Sequence, residues 1–303
     1  MEPDPHPRPL DRVFAAYSLV ATLALLFPHH GHSWPAYITL HLIAAAAALQ
    51  LPPTRRFLAA ARRAWPRLAR LVHDWYALVL LPALYTELAI LNHAVWNGRT
   101  FDGVIQHVES AVFGGEPARH LAAAFPYLPL SEALHATYLL YYLIIFGPSL
   151  ALYLMGRVHA FRVVTFGVVF TFLVHYVVFT FFPVQGPRYV FHGVVGAAVN
   201  GGPVSRLSRW LLEHGSVRGT AFPSSHMSVA TVQAVLAYRY LRPVFPLFVV
   251  VALGVGVGAV YAGFHYAADM IVGGAAGLVL GLFMPRLYVS LGRREPATPQ
   301  EEV

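Results

Sequence analysis

Residues 245–263 read FPLFVVVALGVGVGAVYAG, nineteen positions without a charge, and they run through Phe264, His265 and Tyr266 into a second apolar stretch at 269–291 that opens on Asp269. Each approaches the roughly 20 residues an α-helix needs to cross a bilayer. The chain therefore surfaces from a membrane at His265 and Asp269 and plunges back in. A third apolar run, 225–241, precedes them and begins at Ser224-Ser225-His226. The run at 245–263 returns the chain to the face it left, so both histidine sites lie at one membrane surface and can share a pocket.

Composition generalises this reading. Hydrophobic residues make up 57% of the 303 and charged ones 12%, a balance that water-soluble globules rarely show. The expected fold is all-α, a polytopic bundle. Cysteine is absent, which excludes disulfides, thiolate catalysis and thiolate metal sites. All 21 basic residues are arginine, and without lysine a Walker-type phosphate loop is excluded. The net charge of +7 sits on arginines that flank apolar spans, which suits anionic lipid as partner rather than nucleic acid.

Apolar stretches at 13–27, 36–51, 76–93, 133–154, 161–182, 225–241, 245–263 and 269–291 predict about eight crossings, six of them forming a catalytic core. The first two are short, and a re-entrant N-terminal hairpin on a six-crossing core is the alternative. With the N-terminus inside, fifteen arginines fall on the cytoplasmic side and six outside: Arg99, Arg119, Arg188, Arg206, Arg209 and Arg218. This bias orients the chain and places Arg188, His226 and His265 on the extracytoplasmic face of the plasma (inner) membrane. The expected organisation is an N-terminal hairpin with an Arg-rich segment over 1–75, a catalytic membrane domain over 76–291 and a disordered tail over 292–303. The first span reads as an uncleaved anchor rather than a secretory signal, since Glu2, Asp4 and Asp11 precede or enter it. Residues 52–73, with Phe57, Leu58, Trp65 and Leu68 among the arginines, read either as an interfacial helix or as a solvated linker. Phe101, Val104, Ile105, Val108 and Val112 recur at helical spacing before Gly114-Gly115 and predict a helix lying on the outer surface, a rim to the pocket.

The chemistry starts at Arg218-Gly-Thr-Ala-Phe-Pro-Ser-Ser-His226. Pro223 can open a helix and Ser224 can cap it, leaving unpaired N–H groups at the positive end of the helix dipole, where phosphate binds. His226 stands in that first turn. His265 and Asp269, four apart, lie on one helix face, so the carboxylate can hold one ring N–H and leave the other nitrogen free as base or nucleophile. An isolated pair of this kind is often only a helix-stabilising contact, but at the mouth of nearly charge-free spans it reads as functional. Gly186-Pro187-Arg188 offers a guanidinium fork to phosphate oxygens at the same surface, and Arg218 is either a second clamp or a headgroup contact.

Gly186-Pro187-Arg188, Phe222-Pro223-Ser224-Ser225-His226 and His265-Tyr266-Ala267-Ala268-Asp269, in this order and spacing, resemble the three signatures of the type 2 phosphatidic acid phosphatase superfamily. The resemblance covers roughly 125–285, with Ser131-Glu132 and Tyr141-Tyr142 included, and is nearest to the inositolphosphotransferase-like branch that contains the fungal inositol phosphorylceramide synthases. It implies that His265 attacks phosphorus to give a phosphohistidine, that Asp269 orients it, and that His226 protonates the leaving oxygen. Arg188, Ser225 and the backbone at 224–226 would hold the phosphoryl oxygens. It implies no metal and no cofactor, and a phospholipid or other lipid phosphate as substrate. Oligomeric state stays open. The phosphatases carry a lysine seven residues before the signature arginine, where this chain has Phe181, and Ser-Arg ahead of the third-signature histidine, where it has Gly258-Ala259. These departures point to the transferase-like branch, with Arg218, Arg206 or Arg209 as compensating cations. A catalytically silent lipid-binding or transport protein on the same scaffold is the alternative.

Other polar residues carry less. His29, His30 and His32 could bind a metal but read more simply as a polar loop. His175 and Glu87, within spans, are expected to face the bundle interior. Gly254, Gly256 and Gly258 with Gly273, Gly277 and Gly281 read as close packing between the last two spans rather than a nucleotide loop.

Overall fold

Proline stands in the first turn of most helices of this chain, where its missing N–H forfeits no hydrogen bond and its fixed φ suits the helix. The structure, a computed structural model, describes residues 7–27, 34–191, 199 and 201–292. Along them run α1 (Pro9–Leu25), α2 (Trp34–Ala48), α3 (Pro52–Ala64), α4 (Pro66–Trp96), α5 (Asp102–Phe113), α6 (Pro117–Ala124), α7 (Leu128–Leu154), α8 (Val158–Phe181), α9 (Pro187–Val190), α10 (Pro203–Gly215), α11 (Ser225–Tyr240), α12 (Phe245–Tyr261) and α13 (Ala267–Leu291). No strand occurs among the described residues; a single bridge joins Val184 to Thr220. The chain is thus an all-helical, multi-pass membrane protein.

All eight apolar runs of the sequence are helical, and five helical stretches are long and apolar enough to cross a membrane: Pro66–Trp96, Leu128–Leu154, Val158–Phe181, Arg242–Tyr261 and Ala267–Leu291. The remaining three, α1 with 17 residues, α2 with 15 and α11 with 16, fall short of the usual spanning length of about 20.

Two expectations need correction here. The Arg-rich segment is not one helix over 52–73. It breaks at Trp65, because Pro66 has no N–H to continue α3 but is well placed to begin α4, which then runs unbroken to Trp96. The domain border expected after residue 75 therefore falls inside a helix. The second correction concerns the glycines. A Cβ on Gly258 would meet the Leu134 carbonyl oxygen at 2.9 Å, and one on Gly254 would meet Thr137 at 2.6 Å, so these residues admit α7. Gly273, Gly277 and Gly281 face Ser224, Ser228 and Val235 of the α11 segment. Gly256 of α12 also faces α11, at Met227, so the glycines of the last two helices admit α7 and α11 and do not bring these two helices to each other.

α8 is the axis of the bundle: 78% of its apolar window is buried, against 33–44% in the other four long helices. It packs on α1, α4, α7, α11 and α13. Its His175 is buried, with Nδ1 donating to the Thr171 carbonyl at 2.7 Å, and Glu87 of α4 is buried against His41 Nε2 at 2.9 Å, so both face the interior as expected. α1 is tied to α4 at its N-terminal end by Arg8 to Asp74 at 2.8 Å and by Tyr76 donating to Asp11 at 2.8 Å. The His29, His30 and His32 cluster and the tail beyond 292 lie outside the described residues.

Candidate active site

Three loops at one end of the bundle are laced together by their backbones. The Ala221 N–H donates to the Val184 carbonyl at 2.8 Å, joining the segment before α9 to the segment before α11. The Ser224 N–H donates to the Asp269 carbonyl at 3.0 Å, joining the start of α11 to the first turn of α13. Gly186 closes the triangle. Its φ of +94° is in the region that favours glycine, and a Cβ there would stand 3.1 Å from the Phe264 carbonyl oxygen. The residues singled out as Gly186-Pro187-Arg188, Ser224-Ser225-His226 and His265 to Asp269 are consequently brought together.

Within this triangle His265 Nδ1 lies 3.1 Å from Asp269 Oδ2, which also accepts the Tyr266 N–H at 2.9 Å. The carboxylate is fully buried and His265 nearly so. The i,i+4 spacing spans the end of the loop and the first helical turn, with Asp269 at the third position of α13 where the dipole favours an acid. Burial pushes the His265 imidazole down to about 3, with the Arg188 guanidinium acting in the same direction and the Ala221 carbonyl opposing it. His265 is therefore neutral at physiological pH, with a lone pair on one nitrogen.

The His226 ring centroid is 5.8 Å from that of His265. His226 lies nearly parallel to Tyr138 at 5.3 Å, packs on Tyr141 at 4.6 Å and meets the Tyr138 hydroxyl at 3.2 Å through Nε2. Ser224 is the N-cap of α11, its hydroxyl accepting the Met227 N–H at 3.3 Å. Ser224 thus shapes the turn, with its own N–H taken by the Asp269 carbonyl, while an oxygen that accepts one N–H can still donate its hydroxyl proton. Pro223 likewise stands before the cap, after a cis bond to Phe222, and not at the first helical position. The N–H groups of Ser225 and His226 have no acceptor among the described residues.

Arg188 and Arg218 converge on one ring: their guanidinium carbons lie 4.5 and 4.9 Å from the Tyr189 centroid. Arg188 also donates to the Tyr189 hydroxyl at 2.9 Å and to Ser216. Arg206, offered by the sequence as a compensating cation, turns back to the Gly202 carbonyl at 3.2 Å. Glu132 caps α10, accepting the N–H groups of Val204 and Ser205 at 2.8 and 2.9 Å.

Residues not singled out beforehand complete the site. Tyr138 joins Tyr141 in gripping His226, and the spacing of His135, Tyr138 and Tyr142 along an otherwise apolar helix is the signal that could have marked that face.

Against known proteins, the family model described as the PAP2 superfamily matches residues 105–283, more than half of the chain and all three loops of the triangle. The chain belongs to the PAP2 superfamily. Membership suggests phosphatase or phosphotransferase chemistry carried out by a membrane protein. Neither the curated proteins nor the solved structures offer a match to this PAP2 chain.

Proposed function

We propose that this PAP2 protein cleaves or transfers the phosphate ester of a lipid at the extracytoplasmic membrane surface, through a phosphohistidine on His265 and without a metal. The observation that carries the reading is the buried His265–Asp269 pair, at 3.1 Å, facing a second histidine 5.8 Å away, with the Arg188 guanidinium near enough to act on both rings. Asp269 Oδ2 holds the Nδ1 proton, which leaves the Nε2 lone pair to attack phosphorus. As the N–P bond forms, the bond from phosphorus to the lipid oxygen breaks and His226, which takes up a proton once the phosphate's negative charge is bound beside it, gives that proton to the leaving oxygen. Arg188, Arg218, the Ser225 hydroxyl and the N–H groups of Ser225 and His226 bind the phosphoryl oxygens, whose negative charge they complement in a water-poor site. In the second half-reaction a hydroxyl attacks phosphorus, the N–P bond breaks, and His226 takes the proton back.

The identity of that hydroxyl separates a phosphatase from a transferase. Phe181 and Gly258-Ala259 stand where the phosphatase signatures carry cationic and hydroxyl ligands, which supports the transferase-like branch and a lipid or polyol alcohol as acceptor. The proposal takes eight crossings with the N-terminus inside, which the excess of arginine on one side supports, and an active site turned toward outer-leaflet lipid. The test is to incubate purified protein with ³²P-labelled phospholipids, with and without candidate alcohols, beside His265→Ala. The wild type should release or transfer label and retain an acid-labile, base-stable phosphoryl group. Retention of more than about one hundredth of the activity by the folded His265→Ala variant would remove His265 as nucleophile.

A further inference from the structure

Outside the three signatures, one short surface helix reaches into the site with two buried acids. Asp102 is the first residue of α5 and is only 6% exposed. Among the described residues no cation pairs with it. Its partners are donors from two of the three loops. Oδ1 accepts the Gly186 N–H at 2.9 Å and the Tyr266 hydroxyl at 3.2 Å, while the Gln185 N–H lies 3.1 Å from Oδ1 and 3.0 Å from Oδ2. One turn further along α5, Gln106 Nε2 donates to the same Tyr266 hydroxyl at 3.0 Å. Glu109, 1% exposed, then accepts the Ala268 N–H at 3.1 Å, next to Asp269.

We propose that Asp102 is a positioning residue, which fixes the Arg188 loop and the His265 loop in a single register from outside the bundle. This rests on the catalytic reading given above. The chemistry argues for it in two ways. Burying a carboxylate without a counterion is costly unless donors surround it, and packing α5 on the bundle needs only apolar residues such as its buried Ile105. What the acid adds is an anionic acceptor on which donors from separate loops converge: Oδ1 takes both the Gly186 N–H and the Tyr266 hydroxyl, and Oδ2 shares the Gln185 N–H with it. The Gln185 and Gly186 N–H groups belong to the turn that immediately precedes Pro187 and Arg188, and Tyr266 is the neighbour of His265 whose own N–H holds Asp269. A shift of Asp102 therefore moves the phosphate clamp relative to the nucleophile.

Asparagine at this position keeps the shape but has one acceptor oxygen, and its amide would present a donor to a donor. The experiment compares wild type, Asp102→Asn, Asp102→Glu, His265→Ala and Ile105→Ala as purified full-length proteins. Turnover of dioctanoyl phosphatidic acid, the affinity for orthovanadate as a mimic of the pentacoordinate phosphoryl group, and the melting temperature are read together. Asp102→Asn should lower kcat about 30-fold and vanadate affinity about tenfold, with the KM for lipid within about threefold, since misplacement by a fraction of an ångström costs chiefly in the transition state. Asp102→Glu, which restores a carboxylate, should recover most of the loss. Asp102→Asn within twofold of wild type in both kcat and vanadate affinity would overturn the inference. So would a loss that glutamate does not relieve and that Ile105→Ala reproduces at the same melting temperature, because that is the signature of a purely structural role. Lack of vanadate binding and of turnover in the wild type, equal to His265→Ala, would instead defeat the catalytic reading and the inference with it.

Discussion

Gly273 is the point where a single methyl group tests whether the geometry of the triangle matters. It lies on α13 one turn past Asp269, and a Cβ built there would stand 2.6 Å from the Ser224 carbonyl oxygen and 3.2 Å from the Ser224 nitrogen. Ordinary contact begins at 3.4 Å, so Gly273→Ala must part the two backbones by 3.4 − 2.6 = 0.8 Å. No flexible side chain can absorb this, because the obstacle is the peptide of the cap itself. The displaced element is the turn that carries Ser225 and His226, and the reference it moves from is the helix that carries Asp269. A misplacement near 1 Å can cost about a hundredfold in rate, and overpacking typically costs about 1–3 kcal/mol in stability. Gly281→Ala separates the two effects. It meets Val235 Cβ at 2.9 Å on the same pair of helices but two turns deeper, so it should bring a comparable loss of stability with little effect on His226. Gly147→Ala, with nothing within 4 Å, serves as the neutral control. Turnover of a labelled lipid phosphate and thermal unfolding, measured on all three, give the answer. Wild-type kcat/KM in Gly273→Ala, or an equal loss in Gly281→Ala, would refute the reasoning.

Tyr138→Phe removes the hydroxyl 3.2 Å from His226 Nε2 while keeping the ring against the imidazole, and should lower kcat about tenfold, less than the loss of a general acid itself because the acid stays and only its orientation suffers; unchanged kcat would mean the hydroxyl does not orient the acid. The pH dependence follows from His265, whose folded-state pKa of about 3 lies below the ordinary imidazole value of about 6.5. The unfolded chain takes up this proton as pH falls through 6.5 and the folded chain does not, so the stabilising effect of a neutral His265 is complete above that pH and declines toward 3. Melting temperature should therefore fall between pH 7 and pH 5 more steeply in the wild type than in His265→Ala, and parallel curves would refute the assignment. In a chain without cysteine, Thr100→Cys, exposed between α4 and α5, should react with an impermeant maleimide in intact cells and Ala64→Cys, exposed at the end of α3, should not; the reverse pattern would move the pocket to the cytoplasmic side.

What the sequence disclosed is what depends on short range. A charge-free run of nineteen residues can do little but form a helix in a membrane, and His265 and Asp269 meet because four residues make about one helical turn. The three signatures are expected to converge because two successive apolar runs return the chain to the surface it left, and the backbone contacts among the three loops do join them. What stayed hidden depends on which faces touch. Tyr138 is one of several tyrosines on α7, and only the approach of α11 selects it as the partner of His226. The glycines of α12 and α13 announce close packing, but no periodicity says that Gly254 and Gly258 admit α7 while Gly273, Gly277 and Gly281 admit α11. That Ser224 caps α11 is legible from its position, but the Asp269 carbonyl that takes its N–H and ties the cap to α13 is not, because that contact bridges two helices. Asp102 is the extreme case. It stands where any N-terminal helical acid would, at the start of an amphipathic surface helix, and nothing local distinguishes it from a solvated cap. Its partners lie more than eighty residues away in one loop and more than 160 in the other, so its part in the site exists only once both loops have folded over α5.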